Sequence, residues 1–369
     1  MRIGIPKEIK VHEYRVGLTP SGVKELCHQG HSLFIESKAG EKIGFSDQEY
    51  EQAGAILCQS PDEVWQQAQL IIKVKEPLPE ETKKIREEHI LFTYLHLAAN
   101  QSLTTSLLQT GCTAIAYETI TDSLHRLPLL APMSEVAGRM SVQAGAHCLE
   151  IAQQGRGVLL GGVPGVAPAK VSIIGGGVVG SNAAIMALGL GADTTIFDNS
   201  PDRLRALDAQ FQGHLKTMYS TKDSIYQAIC QSDLVIGAVL IPGAAAPKLV
   251  TYEHLKHMQK GSVVVDVAID QGGCFESSRP TTHSEPTYIE QDIVHYCVAN
   301  MPGAVARTST LALTNATLPY VLQLANNHWK TVINNDQHFA NGLNISAGHI
   351  YCKGVADAFN YPLRPIDQL

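Results

Sequence analysis

Short apolar runs alternate with amphipathic segments along the first part of the chain. Six apolar runs have the length and composition of strands, and the segments between several of them have helical spacing and a Ser or Thr start signal. The predicted strands are 2–5, 32–36, 55–57, 70–75, 90–94 and 113–117, and the predicted helices are 19–30, 46–53 and 60–68. Such alternation predicts parallel strands joined by crossover helices.

A second alternating unit follows a long predicted helix, which Ser134 caps and which runs from 135 to about 153. A loop rich in Gly and Pro, 155–168, leads to predicted strands at 171–174, 194–197, 234–237 and 262–267. After Pro302 the pattern becomes helical again, with Ser309 capping a helix bent at Pro319, and the tail 361–369 is predicted to be extended.

These patterns predict the α/β class, with two Rossmann-like, doubly wound parallel-sheet domains and a cleft between them. The predicted catalytic domain is discontinuous and comprises residues 1–129 plus 306–369. The predicted nucleotide-binding domain comprises residues 130–305.

Composition narrows the class of protein. The chain has 369 residues, 44% hydrophobic and 17% charged, with a formal net charge of -7, which suits a globular protein and gives no reason to expect nucleic acid or an anionic membrane as partner. The apolar stretch 171–192 is long enough for a membrane span, but its three consecutive glycines and Asn182 favour strand, turn and helix.

Eight cysteines without a CxxC pair and an N-terminus without an apolar signal core predict a reducing cytoplasm. Fifteen histidines show no metal-type spacing, so no metal is predicted.

The clearest motif follows the predicted strand at 171–174. Gly175, Gly177 and Gly180 occupy the positions of GxGxxG, which allow a tight turn, close approach of a pyrophosphate, and helix packing on the strand. The next strand ends at Asp198, whose carboxylate suits a ribose diol and repels a 2′-phosphate, so NAD is predicted over NADP. Arg203 weakens this prediction of cofactor preference, because a nearby arginine could tolerate the 2′-phosphate of NADP. A glycine-rich turn without a ligand is the alternative.

Polar side chains also stand where other strands end. Lys73 and Lys75 interrupt one apolar run, His96 follows the next, and Asp270 follows the run at 262–267. Because ligands in open α/β sheets bind outside the carboxyl ends of strands, these three spots could face one crevice. Arg15, in the stretch 13–16, is a further candidate.

Each of these groups also has a structural interpretation. His96 could be a hydrogen-bonded core histidine, and Asp270 could cap the turn at 272–273. Lys75 could pair with Glu76 or extend to water, as could Lys73, and Arg15 could be an ordinary loop cation. The groups taken together match the needs of an amino- or keto-acid site.

The same stretches resemble bacterial alanine dehydrogenase of the alanine dehydrogenase/transhydrogenase family. The resemblance covers essentially the whole chain and rests on RIGIPKE at 2–8 with RV at 15–16 and TP at 19–20, KVKEP at 73–77, YLHLA at 94–98, APMSEVAGR at 131–139, DQGG at 270–273 and VANMP at 298–302.

The resemblance implies reversible oxidative deamination of L-alanine by NAD to pyruvate, ammonium and NADH. It implies that Arg15 and Lys75 hold the substrate, that His96 is the acid/base and that Asp270 assists proton transfer, while Lys73 is left unassigned. It also implies a homohexamer. The implied cofactor contacts are Ser134, Gly175, Gly177, Val178, Val179, Gly180, Asp198, Arg203, Ser220, Val239, Leu240, Val267, Ala268, Ile269, Asp270, Arg279, Val298, Ala299, Asn300 and Met301.

The physical chemistry agrees with these roles. A carboxylate held by an arginine fork and a lysine point charge is oriented for hydride transfer, and a histidine suits proton removal near neutral pH. The nearest alternatives are the nucleotide-binding chain of a proton-translocating transhydrogenase, lysine-forming saccharopine dehydrogenase, and a non-catalytic NAD(H) sensor. A sensor would keep the glycine motif but would not need Arg15, Lys75, His96 and Asp270 together.

Overall fold

The computed structural model describes residues 1–239 and 246–369, which divide into two compact units. The first unit comprises Met1–Met133 and Val305–Leu369, and the second comprises Ser134–Ala304. Each unit is built on a mostly parallel sheet with helices in the connections, so the predicted α/β class is confirmed.

The first unit opens with six strands and five helices that alternate along the chain. They are β1 (Arg2–Ile5), α1 (Pro20–His28), β2 (Ser32–Glu36), α2 (Asp47–Gln52), β3 (Ile56–Cys58), α3 (Pro61–Gln67), β4 (Leu70–Ile72), α4 (Pro79–Thr82), β5 (Ile90–Thr93), α5 (Gln101–Thr110) and β6 (Thr113–Ala116). The six strands are parallel in the order β3-β2-β1-β4-β5-β6, so the winding direction reverses between β1 and β4. Strands β4, β5 and β6 are buried along their whole length, as strands covered on both faces must be.

Several helices begin where the sequence places a hydroxyl side chain. Thr19, Ser46 and Ser60 accept hydrogen bonds from the first-turn N–H groups of α1, α2 and α3, and proline follows directly in α1 and α3. These caps satisfy N–H groups that have no partner within the helix, which is why the predicted starts agree with the structure.

The second unit repeats the winding. Its elements are α6 (Ala131–Cys148), β7 (Lys170–Ile174), α7 (Val178–Gly189), β8 (Asp193–Asp198), α8 (Pro201–Phe211), β9 (Lys216–Tyr219), α9 (Lys222–Ile229), β10 (Leu234–Gly237), α10 (Tyr252–His257), β11 (Val263–Asp266), β12 (Thr287–Glu290) and β13 (Ile293–Tyr296). The order is β12-β13-β11-β10-β7-β8-β9, with β12 antiparallel to β13 and the other strands parallel. The winding direction reverses between β7 and β10, where a doubly wound sheet binds its ligand.

The C-terminal part returns to the first unit. It contains α11 (Ala306–Asn326), α12 (Trp329–Asn335), α13 (Gln337–Ala340), β14 (Leu343–Ser346), β15 (His349–Ile350) and α14 (Lys353–Phe359). Strand β14 pairs antiparallel with β6, and β15 pairs antiparallel with β14, so the two strands extend the first sheet to eight strands. The prediction of helices alone was therefore incomplete, because β14 forms by pairing with β6, which lies far away in the sequence.

Two predicted helix caps are wrong. Helix α6 begins at Ala131 with Pro132 in its first turn, so Ser134 lies inside it, and the helix ends at Cys148 rather than near 153. Helix α11 begins at Ala306, directly after a 3-10 turn at Met301–Val305, so Ser309 is also internal. Pro319 does lie within α11.

None of the helices in the described ranges is long and apolar enough to cross a membrane. The stretch 171–192 is instead most of β7, the glycine turn and α7, as predicted.

Candidate active site

Three of the predicted residues follow neighbouring strands of the first unit. Arg15 lies in the segment after β1, Lys75 follows β4, and His96 follows β5. These strands are adjacent and parallel, and the winding reverses between β1 and β4. Their carboxyl ends therefore bring the three side chains to one margin of the sheet, at the place where ligands bind in this architecture.

Arg15 is held by Glu13. The guanidinium is 2% exposed and donates from Nε to Oε1 at 2.7 Å and from Nη2 to Oε2 at 2.6 Å. Burial alone would raise the pKa of Glu13, but the hydrogen bonds and charge of Arg15 hold it below its usual value. The guanidinium of Arg15 is thus held in place by Glu13, and Arg15 is not an ordinary loop cation. Sequence reasoning missed Glu13, although an acid two residues before an arginine was a usable signal.

Lys75 is half-buried beside this pair. Burial and then the charge of Arg15 lower the pKa of its ammonium. Glu76 bonds to Lys10 at 2.6 Å, so the alternative in which Lys75 pairs with Glu76 is wrong. No acceptor in 1–239 or 246–369 makes a hydrogen bond to the Lys75 ammonium. A half-buried ammonium without a hydrogen-bonding acceptor among the described residues, next to the guanidinium of Arg15, suits an anionic substrate.

Lys73 has different surroundings, because the strand predicted to run through 75 ends at Ile72. Its side chain is 1% exposed and bonds to Glu8 at 3.0 Å and to Glu81 at 2.7 Å. Burial would lower the pKa of Lys73, but the two carboxylates raise it. The alternative in which Lys73 extends to water is therefore wrong.

His96 is exposed, with 49% of its side chain accessible, so the interpretation as a core histidine is wrong. Its backbone is left-handed, with φ 49° and ψ 38°, and its N–H donates to Glu118 at 2.6 Å. The ring lies parallel to that of Tyr94 at a centroid distance of 5.8 Å, and Nδ1 is 3.9 Å from Glu118 Oε1. Glu118 and Tyr94 thus hold the histidine, and nothing in the sequence signalled Glu118.

The glycine motif of the second unit divides into two kinds of position. A Cβ at Gly180 would lie 1.8 Å from the carbonyl oxygen of Gly175, and a Cβ at Gly175 would lie 2.7 Å from that of Ala238, so the fold itself requires both glycines. Gly175 also has φ +106°. At Gly177, however, a Cβ would meet no atom of residues 1–239 and 246–369 within 4 Å. This open space at the N-terminus of α7 fits a dinucleotide pyrophosphate.

Asp198 ends β8 beside this turn. Its Oδ2 accepts the N–H of Gly176 at 2.8 Å, and its Oδ1 accepts the N–H of Ser200 at 2.8 Å. The guanidinium of Arg203 donates to the carbonyl of Gly176 and to Ser181 Oγ. Arg203 therefore braces the turn, which weakens the reservation that it serves a 2′-phosphate.

Most of the other predicted cofactor contacts lie beyond the carboxyl ends of the second sheet. Ser220 follows β9, Val239 follows β10, Val267–Gln271 form a 3-10 turn after β11, and 298–301 follow β13, while Val178 and Val179 open α7. Leu240 lies outside the described residues.

Ser134 and Arg279 are placed by other elements. Ser134 lies one helical turn before Gly138, where a Cβ would lie 2.2 Å from the carbonyl oxygen of Val179, so this face of α6 packs closely on α7. The guanidinium of Arg279 lies 4.3 Å from the ring centroid of Tyr288.

Asp270 is exposed on the turn after β11, whereas Asp266 is fully buried. Asp266 accepts the N–H groups of Ala268 at 3.1 Å and Cys274 at 2.8 Å, together with the hydroxyl of Ser278. Burial raises the pKa of Asp266, although these hydrogen bonds oppose the shift. The cap predicted as an alternative for Asp270 thus belongs to Asp266, which sequence reasoning missed despite its position at the end of an apolar run.

These arrangements define the class of protein to which the chain belongs. A complete dinucleotide turn in one α/β unit, and two cations with an exposed histidine at the strand ends of another, are the parts of a nucleotide-dependent oxidoreductase of small anionic substrates.

Comparison with known proteins is consistent with this class. Residues 4–137 match the model for the alanine dehydrogenase/PNT N-terminal domain, and residues 141–353 match that for the C-terminal domain. The chain is 61% identical to an alanine dehydrogenase of Halomonas elongata over 97% of each chain, and 53% identical to one of Mycolicibacterium smegmatis over 98% of each.

Solved structures agree. An L-alanine dehydrogenase superposes with a TM-score of 0.95 at 52% identity, covering 98% of this chain and 99% of that one. A transhydrogenase from Sinorhizobium meliloti superposes with a TM-score of 0.82 at 25% identity, covering 95% of this chain and 100% of that one. The chain belongs to the alanine dehydrogenase/PNT family, and the predicted resemblance and oxidoreductase class are confirmed.

Proposed function

We propose that the chain catalyses the reversible, NAD-dependent oxidative deamination of L-alanine to pyruvate and ammonium. The observation that carries this proposal is the convergence of Arg15, Lys75 and His96 beyond three adjacent parallel strands at the winding reversal. Near-full-length likeness to proteins named alanine dehydrogenase supports the same substrate.

Arg15 and Lys75 bind the substrate in this proposal. Glu13 occupies the Nε–Nη2 side of Arg15, and Nη1 donates to Met133 Sδ at 3.1 Å, so a substrate carboxylate does not receive the predicted fork through the Nε–Nη2 side. Lys75 supplies a second positive charge, which pairs with the carboxylate or the keto oxygen. A partly buried site strengthens both contacts, because less water screens them.

His96 moves the proton. The chemistry that NAD supplies when bound at the glycine turn is acceptance of the hydride that leaves Cα. His96 would take a proton from the water that adds to the imine carbon, with the assistance of Asp270. His96 would then return a proton to the nitrogen as the Cα–N bond breaks, which releases ammonium and leaves pyruvate. Stacking on Tyr94 and the hold of Glu118 on the backbone N–H keep the imidazole directed while leaving it accessible.

The two units have separate roles in this proposal. The catalytic domain comprises 1–129 plus 306–369 and binds the substrate, and the nucleotide domain comprises 130–305 and binds NAD. A crystal structure with NADH and pyruvate would test this assignment, and NADH bound to the first unit or pyruvate bound to the second would contradict it.

The first experiment is an assay of NADH formation from L-alanine and NAD at alkaline pH, with NADH binding followed by fluorescence. We expect alanine-dependent NADH formation, and pyruvate- and ammonium-dependent NADH oxidation in reverse. Tight NADH binding without either reaction would favour a non-catalytic sensor and would overturn the proposal.

Asp198→Ala is expected to raise the KM for NAD about tenfold to a hundredfold, since a hydrogen bond to a charged group contributes about 1.5–3 kcal/mol. The substitution should also relax the preference for NAD over NADP, because it removes the charge that repels a 2′-phosphate. Steady-state kinetics with both cofactors would measure this. Asp202→Ala is the control, because Asp202 lies nearby on α8 but is exposed and pairs with Arg205. Unchanged selectivity in Asp198→Ala would remove Asp198 from the cofactor site.

We further propose a homohexamer in the cytoplasm. All eight cysteines are free thiols, which suits a reducing compartment.

One short stretch of the second unit carries four apolar side chains that are 53–72% exposed: Ile151, Leu159, Val163 and Val166. Clustered exposed apolar side chains are typical of an interface, and they add a second candidate to the predicted contact through the helices after Ser309.

Light scattering at micromolar concentration is expected to give six times the mass of one chain, and Val163→Asp with Val166→Asp should lower it, because burying two new carboxylates is unfavourable. Leu124→Asp is the control, since Leu124 is equally exposed but lies in the first unit. A monomeric wild-type protein would contradict the hexamer.

A further inference from the structure

We propose that Glu8 is a positioning residue for substrate binding, which sets the backbone of Lys75 and is itself held in place by Lys73. The proposal rests on the proposed function, because it concerns how Lys75 is presented to the substrate. Neither Glu8 nor Lys73 is assigned a role in the mechanism above.

The geometry places Glu8 directly on the backbone of the substrate-binding segment. Its Oε1 accepts the N–H of Val74 at 2.7 Å and the N–H of Lys75 at 3.2 Å. Strand β4 ends at Ile72, so these two N–H groups lie beyond its ladder, and Glu8, from the segment after β1, is the acceptor that satisfies them. One carboxylate oxygen therefore holds the N–H groups of the segment that carries Lys75, while Thr93 Oγ1 donates to the Lys75 carbonyl at 3.0 Å on the other side.

The other oxygen of Glu8 is held by Lys73. Oε2 accepts from the Lys73 ammonium at 3.0 Å, and all three side chains of the Glu8–Lys73–Glu81 cluster are buried. Since apolar side chains of similar volume can often replace buried ions without loss of stability, stability alone does not account for this cluster. An acceptor that binds two N–H groups and cannot rotate away is what the cluster provides beyond stability.

Glu81 is a matched comparison within the same cluster. It pairs with Lys73 at 2.7 Å and is buried like Glu8, but its second oxygen accepts the N–H of Leu78 at the start of α4. Loss of either acid breaks the buried ion cluster, and only loss of Glu8 releases the backbone of Lys75. A merely structural role predicts the same consequences for both residues.

The experiment compares Glu8→Ala, Glu8→Gln, Glu81→Ala and Glu81→Gln in the full chain. The measurements are thermal unfolding, NADH binding by fluorescence, and the KM for L-alanine and for pyruvate. We expect all four variants to unfold at lower temperature and to bind NADH as the wild type does. Glu8→Ala should raise both KM values about tenfold or more, because displacement of a substrate contact by about 1 Å can cost a hundredfold in rate. Glu8→Gln should show a smaller rise, because its amide oxygen can still accept the two N–H groups.

Equal KM changes in the Glu8 and Glu81 series, or KM values within twofold of wild type in Glu8→Ala, would overturn the positioning role. If Glu8→Ala does not fold, the KM changes in Glu8→Gln and Glu81→Gln are compared instead. Equal changes in these two variants would overturn the positioning role. A wild-type protein without alanine-dependent NADH formation would overturn the proposed function and this inference together. An active wild type with matching Glu8 and Glu81 series would overturn this inference alone.

Discussion

Lys75→Ala is expected to lose about 10²–10³ in turnover of L-alanine while NADH binding stays at the wild-type level. The half-buried ammonium lies beside Arg15, and a preorganised charge in a site shielded from water typically contributes that much to rate. The loss is expected because the substrate carboxylate or keto oxygen would keep only Arg15 as a cationic partner. Turnover and NADH fluorescence titration on the same preparation would measure both quantities.

Two variants sharpen this test. Lys75→Met keeps most of the volume of the side chain without its charge, and should be as inactive as Lys75→Ala. Lys10→Ala removes a neighbouring lysine that pairs with Glu76 at 2.6 Å, and should keep turnover near that of the wild type. Wild-type turnover in Lys75→Ala would exclude Lys75 from the reaction, and a parallel loss of stability, NADH binding and activity would indicate a structural residue.

His96→Ala should lower turnover by about 10²–10⁴, the usual contribution of a positioned general acid or base. NADH binding should remain intact, since His96 belongs to the first unit and the glycine turn to the second. Turnover of L-alanine, with NADH titration as before, would measure both effects.

His125→Ala is the matched control for His96→Ala. Both histidines are exposed and both have left-handed backbones, with φ 55° at His125 and φ 49° at His96, so alanine carries the same backbone cost at either site. Loss of turnover in both variants would point to backbone strain rather than to the imidazole. Unchanged turnover in His96→Ala would require a different acid/base.

Much of the candidate site could be predicted because its signals are local. The glycine turn is defined by backbone conformation and close approach over six residues, and Gly175 and Gly180 are required by contacts within that turn or directly beside it. Placement of Lys75 and His96 followed from apolar runs that end in polar residues, since parallel strands deliver their carboxyl ends to one margin.

The wrong and missing predictions have a common cause: residues outside the local sequence pattern decided the structure in each case. The caps assigned to Ser134 and Ser309 were wrong because helix starts upstream of each serine override a local cap signal. Strand β14 was missed because it forms by pairing with β6, more than two hundred residues earlier. The surroundings of Lys73 could not be predicted because one of its partners, Glu8, lies 65 residues away in the sequence.

The sequence alone determined the α/β class, the dinucleotide turn and the types of side chain available for chemistry, because these depend on periodicity and on residues close together in the chain. The tertiary structure decided which charges are paired. It joined Arg15 to Glu13, buried Lys73 between Glu8 and Glu81, left the Lys75 ammonium without a hydrogen-bonding acceptor among the described residues, and held an exposed His96 through Glu118. The physical reason is that the charge state and freedom of a side chain depend on burial and on neighbours across the sheet, and only the folded chain brings those neighbours together.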